Sequence, residues 1–352
     1  MKVTQGNLHL VYTPGVAKAA QAIAKNPQNS FIYTSRWNNV AIITDGSRTL
    51  GVGDTIPEAS LPIMEGKAVL FKVLADINAY PLCLATRSVK EIIRVIEILT
   101  PNFKAFNIED IKSPRYFEIM EGLEKRNILS FYDDHQGAAI VVLAGLMNAL
   151  KVMKKNIKEV KIFLAGAGVA GLGVFKILKE VGIKKLFISD EQGIIYRWRK
   201  GDNKYLREIA KFTNPDNKKG DLRTAIKGVD VFIGLSGVGQ LLKSKDVALM
   251  AKKPIIFALS NPIPEIFPKE IEKSTQDYLY ATGRSDFPNQ VNNALVFPGI
   301  FLGMLKNQRK VNLKLGIKIA KAIANLIPHP TKKRILPKIL DKRLVKTVQD
   351  CF

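Results

Sequence analysis

Residues 160–190 read VKIFLAGAGVAGLGVFKILKEVGIKKLFISD. An apolar run enters a glycine-rich turn, a helically spaced stretch follows over 170–181, and a second apolar run ends on an acid. That change of period predicts strand, helix, strand, with the two strands parallel. Parallel strands need crossovers and cover on both faces, which leaves few architectures open. Further apolar runs at 229–236, 254–260 and 278–283 extend the alternation. The expected fold is therefore α/β, with a Rossmann-type doubly wound parallel sheet in this half of the chain.

The turn itself, GAGVAG at 166–171, fits G-x-G-x-x-G through Gly166, Gly168 and Gly171, with Val169 and Ala170 between them. Gly166 permits the tight turn, Gly168 lets a pyrophosphate approach the backbone, and the following helix N-terminus attracts its charge. Asp190 lies roughly 20 residues further on, at the end of the next strand, where an acid accepts hydrogen bonds from an adenosine ribose. This context points to a bound dinucleotide; a purely structural glycine turn is the plain alternative. An acid at 190 favours NAD over NADP by repelling a 2′-phosphate, although Arg197 and Arg199 stand close enough in sequence to receive one.

The N-terminal half ends two apolar runs on acids. Residues 105–110 read AFNIED and 128–134 read ILSFYDD, which pairs Glu109 with Asp110 and Asp133 with Asp134. If the two runs are parallel neighbours, four carboxylates meet at the C-terminal edge of a sheet, where α/β folds bind ligands. Acids beside apolar runs are costly unless paired or neutralised. Two readings fit the spacing: an oxygen-only site for a hard cation such as Mg²⁺ or Mn²⁺, or two turns capped by acids. Tyr12 in YTPGVA and Lys67 in MEGKA are acid/base candidates. A Lys inside an apolar helix beside a metal has its pKa lowered toward the range of a base; a surface or interface role is the ordinary alternative. Asn261, Asn292 and Asn293 follow strand candidates and could hold a substrate carboxylate or a nicotinamide amide, or serve only as Asx turns.

Locally, 17–25 and 62–74 read as helices and 81–86 as a strand. VAIITDG at 40–46 and TLGVGD at 49–54 read as a hairpin turning at Asp45-Gly46. Ser88 caps a helix to Leu99, with Glu91 completing a capping box. A long helix spans 137–153 and another 313–326.

Composition sets the outer limits. At 352 residues, with 47% hydrophobic and 24% charged residues, the chain suits two folded domains. The net charge of +23 suits anionic small molecules; no basic block adjoins an aromatic-rich strand, so no specific nucleic-acid partner is expected. Two cysteines make neither a disulfide framework nor a zinc site. The longest apolar run, 137–147, falls short of the roughly 20 residues of a membrane span, and the N-terminus has no signal-peptide pattern. A cytoplasmic location is expected.

YTPGVA, TDGSRTLGVGD, PIMEGKAVLFK, NIEDI, FYDDHQGAAIV, GAGVAGLG, FALSNPIPE and ATGRSDFPNQVNNALVFPGIF occur in this order and cover nearly the whole chain. In this the chain resembles the malic enzymes of the short bacterial and archaeal type. The resemblance implies oxidative decarboxylation of L-malate to pyruvate and CO₂ with NAD or NADP and Mg²⁺ or Mn²⁺, by a homodimer or larger homo-oligomer. It implies Glu109, Asp110 and Asp134 as metal ligands and Asp133 as a supporting acid. Lys67 would be the base for the C2 hydroxyl, Tyr12 the acid that protonates C3, and Asn261 and Asn293 malate contacts. It divides the chain into a catalytic domain (1–136), a bridging helix (137–153), a Rossmann domain (154–304) and a C-terminal helical segment (305–352). The sequence departs from the family pattern in DDHQGAA, where Ala138 replaces an expected hydroxyl residue, in GDTIPEA at Ile56, and in FYDD at Tyr132. Rival expectations are another nicotinamide-dependent dehydrogenase of this architecture, or a basic binding protein without turnover.

Overall fold

The computed structural model describes residues 2–352. Strands β1 (Asn39–Thr44), β2 (Asn78–Cys83), β3 (Ala105–Ile108) and β4 (Ser130–Tyr132) form one sheet in the order β2-β1-β3-β4. All of its pairings are parallel. A second sheet holds β5 (Lys161–Ala165), β6 (Lys185–Asp190), β7 (Gly193–Ile194), β8 (Val231–Gly234), β9 (Ile255–Ala258) and β10 (Leu279–Thr282), ordered β10-β9-β8-β5-β6-β7. Only β7 runs antiparallel. The chain leaves β5 toward β6, then returns to β8 on the other side, so the topological switch lies at the C-terminal end of β5, just before Gly166.

Helix Ala138–Met153 joins the sheets. Its apolar residues face inward on nearly every side, as an all-round hydrophobic helix must. With the turn before it the helix spans 21 residues and is apolar enough to cross a bilayer by length, yet 72% of its apolar window is buried inside the protein. Its one buried amide, Asn148, donates to Ala324 O at 2.8 Å and Ile335 O at 2.9 Å, which ties the C-terminal segment to the middle of the helix. Helix Phe297–Asn307, which the sequence reading did not anticipate, leaves the second sheet and packs on the first. Phe297 and Phe301 lie 4.7 and 5.1 Å from the Phe71 ring, and Phe301 lies 5.8 Å from Phe131.

The expected hairpin at 40–54 is not formed. β1 has a parallel neighbour on each side, so no edge is left for a returning strand. Asp45 turns the chain away: its carboxylate accepts from Ser47 N at 2.9 Å and Ser47 Oγ at 2.5 Å and pairs with Arg115 at 3.1 Å. Residues 49–54 close as a small loop through Gly53 N to Thr49 O at 2.7 Å. The capping box at Ser88 is half made: Ser88 Oγ accepts from Glu91 N at 3.4 Å, while the Glu91 carboxylate accepts from Thr86 instead. β4 ends at Tyr132, two residues earlier than expected, because Asp133–Gly137 winds into a single wide helical turn.

Candidate active site

The parallel register pairs Ile108 with Tyr132, so Glu109–Asp110 and Asp133–Asp134 emerge side by side from β3 and β4. Asp110 N donates to Asp134 Oδ2 at 3.2 Å. Lys67 reaches in from helix Leu61–Ala75 and donates to Glu109 Oε1 and Asp133 Oδ2, both at 2.5 Å. Its ammonium lies 4.6 Å over the Phe297 ring. Asp133 is fully buried and its Oδ1 has no hydrogen-bond partner. Gly137 makes room for that oxygen: a side chain there would overlap Asp133 Oδ1.

Electrostatics follow from crowding. Burial raises Glu109 well above the usual carboxylate range, against the pull of Lys67. Asp110 is pushed up to about 7 by burial and then by Asp134, and burial raises Asp133 as well. Burial alone would lower Lys67, but Asp133, Glu109 and Asp134 outweigh it and hold it above its ordinary value. Without a cation among the acids, the two carboxylates at 2.5 Å favour the ammonium form; the lowered lysine expected beside a metal belongs to the metal-loaded site.

Four carboxylates thus share two cations, Lys67 and Arg48, whose Nη1 lies 3.5 Å from Asp134 Oδ2. The surplus of two negative charges, the unpartnered Asp133 oxygen and an all-oxygen donor set fit a hard divalent cation in charge and chemistry. As the side chains stand, among the described residues no three acids, histidines or cysteines are arranged around a common coordination point; Glu109 and Asp134 are turned toward Lys67 and Arg48. A test follows from the sign of the shifts. A carboxyl with a raised folded pKa costs stability as it ionises, so Asp110 destabilises the metal-free protein as pH rises from 3.8 toward about 7. A cation that binds the cluster offsets this. At a fixed Mg²⁺ concentration the stabilisation over EDTA, read as a rise in melting temperature, is expected to grow between those limits as Kd falls, and is worth about 2.7 kcal/mol where that concentration is 100 times Kd. His135, lowered to about 4 by burial, acts with the opposite sign but cancels in this difference. A gain that is absent or flat with pH counts against the site.

Beside the acids lies a cleft of about 1290 Å³, lined by Gly166, Gly168, Val169, Ala170, Asp190 and Arg48 among others. Gly166 has φ +111°, and a side chain there would overlap the Leu235 carbonyl. Helix Val169–Glu180 starts at Gly168 with no side-chain cap, so its first N–H groups are free for an anion. The two halves of the site are tied: Arg48 lines the cleft and reaches Asp134, and His135 Nδ1 donates to Val169 O at 2.9 Å.

Asp190 stands in the cleft as expected, but already engaged. Its Oδ1 accepts from Arg199 Nη1 at 2.8 Å and from Gln192 N at 2.9 Å, and its Oδ2 accepts from Arg199 Nη2. Arg199 Nε donates to Asp202 Oδ1 at 2.8 Å. The guanidinium is buried between two acids and not offered to a phosphate. Among the asparagines, Asn292 is committed to the Asx reading, its Oδ1 accepting from Ala294 N at 2.9 Å. Asn293 sits beside Gly137 and therefore beside the aspartate turn, and the Asn261 amide lies against Gly283 after β10. Tyr12 is not gathered into the acid cluster. It ends helix Leu8–Val11 with 69% of its surface exposed.

The sequence reading missed Arg48, Phe297 and the Arg199–Asp202 pair. Arg48 left a signal, a lone cation in TDGSRTLGVGD; Phe297 left none, since its place under Lys67 depends on how a distant helix packs.

Residues 135–348 match the family described as "Malic enzyme, NAD binding domain", and residues 1–88 match "Malic enzyme, N-terminal domain". An NAD-dependent malic enzyme of Geobacillus stearothermophilus is 44% identical over 98% of this chain and 73% of its own length. An NADP-dependent malic enzyme of Halomonas elongata is 40% identical over 95% of this chain and 79% of its own. The crystal structure of an NAD-dependent malic enzyme from Thermotoga maritima, 43% identical, superposes with a TM-score of 0.93 over 100% of this chain and 93% of that one. Fold, family profiles and near full-length identity agree: the chain belongs to the malic enzyme family.

Proposed function

We propose that this chain catalyses oxidative decarboxylation of L-malate to pyruvate and CO₂, reducing NAD or NADP, with Mg²⁺ or Mn²⁺ required. The observation that carries the reading is Lys67, wedged between Glu109 and Asp133 and one arginine away from the dinucleotide cleft. Glu109, Asp110 and Asp134 would hold the cation and Asp133 would support Lys67. When bound, the nicotinamide takes up hydride and the cation withdraws electron density from the substrate oxygens. Lys67 receives the C2 hydroxyl proton once Glu109 is engaged elsewhere, since losing one carboxylate partner removes part of what holds its proton. Tyr12 supplies a proton to C3 after the C4 carboxylate has left. Asn261 and Asn293 position the substrate carboxylates, and Phe297 keeps water from the lysine. Gly166, Gly168, Val169, Ala170 and Gly171 cradle the pyrophosphate, with Asp190 on the ribose.

The domain division keeps 1–136 as catalytic domain, 137–153 as bridge, 154–304 as Rossmann domain and 305–352 as C-terminal segment. We take the working form to be a cytoplasmic homodimer or larger homo-oligomer; the free thiols of Cys83 and Cys351 suit a reducing compartment. The test is initial rates with malate and Mn²⁺, with NAD and NADP in parallel. Pyruvate is expected in step with reduced cofactor, with NAD preferred and EDTA abolishing the rate. Turnover that ignores malate or survives EDTA overturns the reading.

A further inference from the structure

One buried carboxylate has no part in the chemistry proposed above. Glu265 follows β9 and is fully buried. Two serines satisfy it rather than a cation. Its Oε1 accepts from Ser236 N at 3.1 Å, Ser236 Oγ at 3.0 Å and Ser260 Oγ at 2.5 Å, and its Oε2 accepts from Ser260 N at 3.1 Å. The chain clears a place for it: a side chain at Gly234, the last residue of β8, would overlap the carboxylate. Backbone bonds hold the same segment, Gln240 N to Pro264 O and Leu242 N to Glu265 O, both at 2.9 Å. Where packing alone is needed, an apolar side chain does as well without the desolvation of a charge.

The two serines belong to the loops that leave β8 and β9, at the C-terminal edge of the second sheet. Ser236, Gly237 and Val238 line the dinucleotide cleft, and Ser260 directly precedes Asn261. The network takes up three successive N–H groups of the cleft loop. Ser236 N donates to Glu265, Gly237 N to Ser260 Oγ at 2.8 Å, and Val238 N to Ser236 Oγ at 3.1 Å. The carbonyls of Ser236 and Gly237 accept no hydrogen bond among the described residues. This lining is the reverse of the turn at 166–171, where free N–H groups suit an anion. A loop whose donors are taken and whose acceptors are free suits a ligand that donates, as the carboxamide of a nicotinamide does.

We infer that Glu265 is a positioning residue for hydride transfer: it clamps the loops after β8 and β9 together, so that the Ser236 and Gly237 carbonyls hold the nicotinamide carboxamide while Asn261 holds the substrate. The inference rests on the malate reading above. Glu265 touches neither ligand. It fixes the placement of two partners that bind on two different loops. In the step it serves, C2 loses its hydrogen as hydride to the nicotinamide and its hydroxyl proton to Lys67, and becomes a ketone. A misplacement of about 1 Å at such a step costs on the order of 100-fold in rate.

Glu265→Gln keeps the shape of the side chain but sets an NH₂ group against the serine donors. The test compares NAD with its acetylpyridine analogue, which has a methyl group where the carboxamide has its NH₂. In calorimetry the wild-type protein is expected to bind NAD about fivefold tighter than the analogue, the worth of one hydrogen bond, and Glu265→Gln to bind the two alike. In single turnover with malate and Mn²⁺, the rate of cofactor reduction per bound dinucleotide is expected to fall roughly 10- to 100-fold in the variant. Ser260→Ala removes part of the same clamp; it should move both readouts the same way by less, and it carries the test if thermal melting shows that Glu265→Gln does not fold. Affinity lost equally for both dinucleotides, or a rate that falls only with the amount of dinucleotide bound, makes Glu265 a structural brace and overturns the inference. An unchanged rate, or a wild-type protein that does not distinguish the two dinucleotides, overturns it too. A wild-type protein that makes no pyruvate removes the malate reading and the hydride role with it, while the calorimetry reads the carboxamide contact apart from turnover.

Discussion

Lys67→Ala is expected to lower kcat for malate oxidation by at least about 100-fold, the lower end of what a positioned proton acceptor supplies. Dinucleotide affinity should stay within about twofold, because the cleft at Gly166–Asp190 does not include Lys67. The residue is buried among carboxylates that hold their charge partly through it, so the variant must be measured with the cation present. Removing one partner of a buried ion pair costs roughly 3–5 kcal/mol when nothing replaces it. A purely structural lysine and a proton acceptor then separate by rescue. Added small primary amines should restore part of the rate, increasingly at higher pH as the free amine forms, if Lys67 moves the proton. Unchanged turnover, or a loss that follows dinucleotide affinity, overturns the base assignment.

The second large effect concerns cofactor choice, on which relatives at similar identity divide between NAD and NADP. Arg199 is held by Asp190 and Asp202, so the wild-type protein presents a carboxylate, not a cation, to the ribose. Asp190→Ser removes the acceptor for the ribose hydroxyls and frees one side of the guanidinium. Hydrogen bonds to a charged group are worth about 1.5–3 kcal/mol. The ratio of kcat/KM for NAD over NADP is therefore expected to fall by about 100-fold, with NADP use rising and NAD use falling. Adding Arg199→Ala to Asp190→Ser should remove the gain with NADP while leaving the loss with NAD. A wild-type protein that prefers NADP, or a ratio that Asp190→Ser leaves unmoved, contradicts the role given to this pair.

The doubly wound sheet was legible because strand, glycine turn, helix and acid occur in one short stretch, and β5, β6, β8, β9 and β10 lie where the apolar runs place them. The meeting of four acids was legible for a similar reason: two apolar runs end on acids, and parallel pairing aligns run ends. What the sequence hid depends on contacts between distant segments. The 49–54 run has strand character, but its pairing was decided by which strands already flank β1. The ion pairs of Lys67 with Glu109 and Asp133 were not legible either, because they depend on how helix Leu61–Ala75 packs against the ends of β3 and β4. Arg199 stood in sequence only as an alternative receiver of a 2′-phosphate, because its spacing from Asp190 gives proximity but not direction; in the fold it points at Asp190 itself.

In the proposed mechanism a substrate bound at the four acids loses hydride from C2 and then the carboxylate at C4. Malate carrying ¹³C in a single carboxyl group tests it directly, with wild-type protein, Mn²⁺ and NAD. Label placed at C4 is expected to leave entirely as CO₂, and label placed at C1 to remain entirely in pyruvate. Label from C1 in CO₂, or oxaloacetate accumulating with the C4 label retained, would contradict the account.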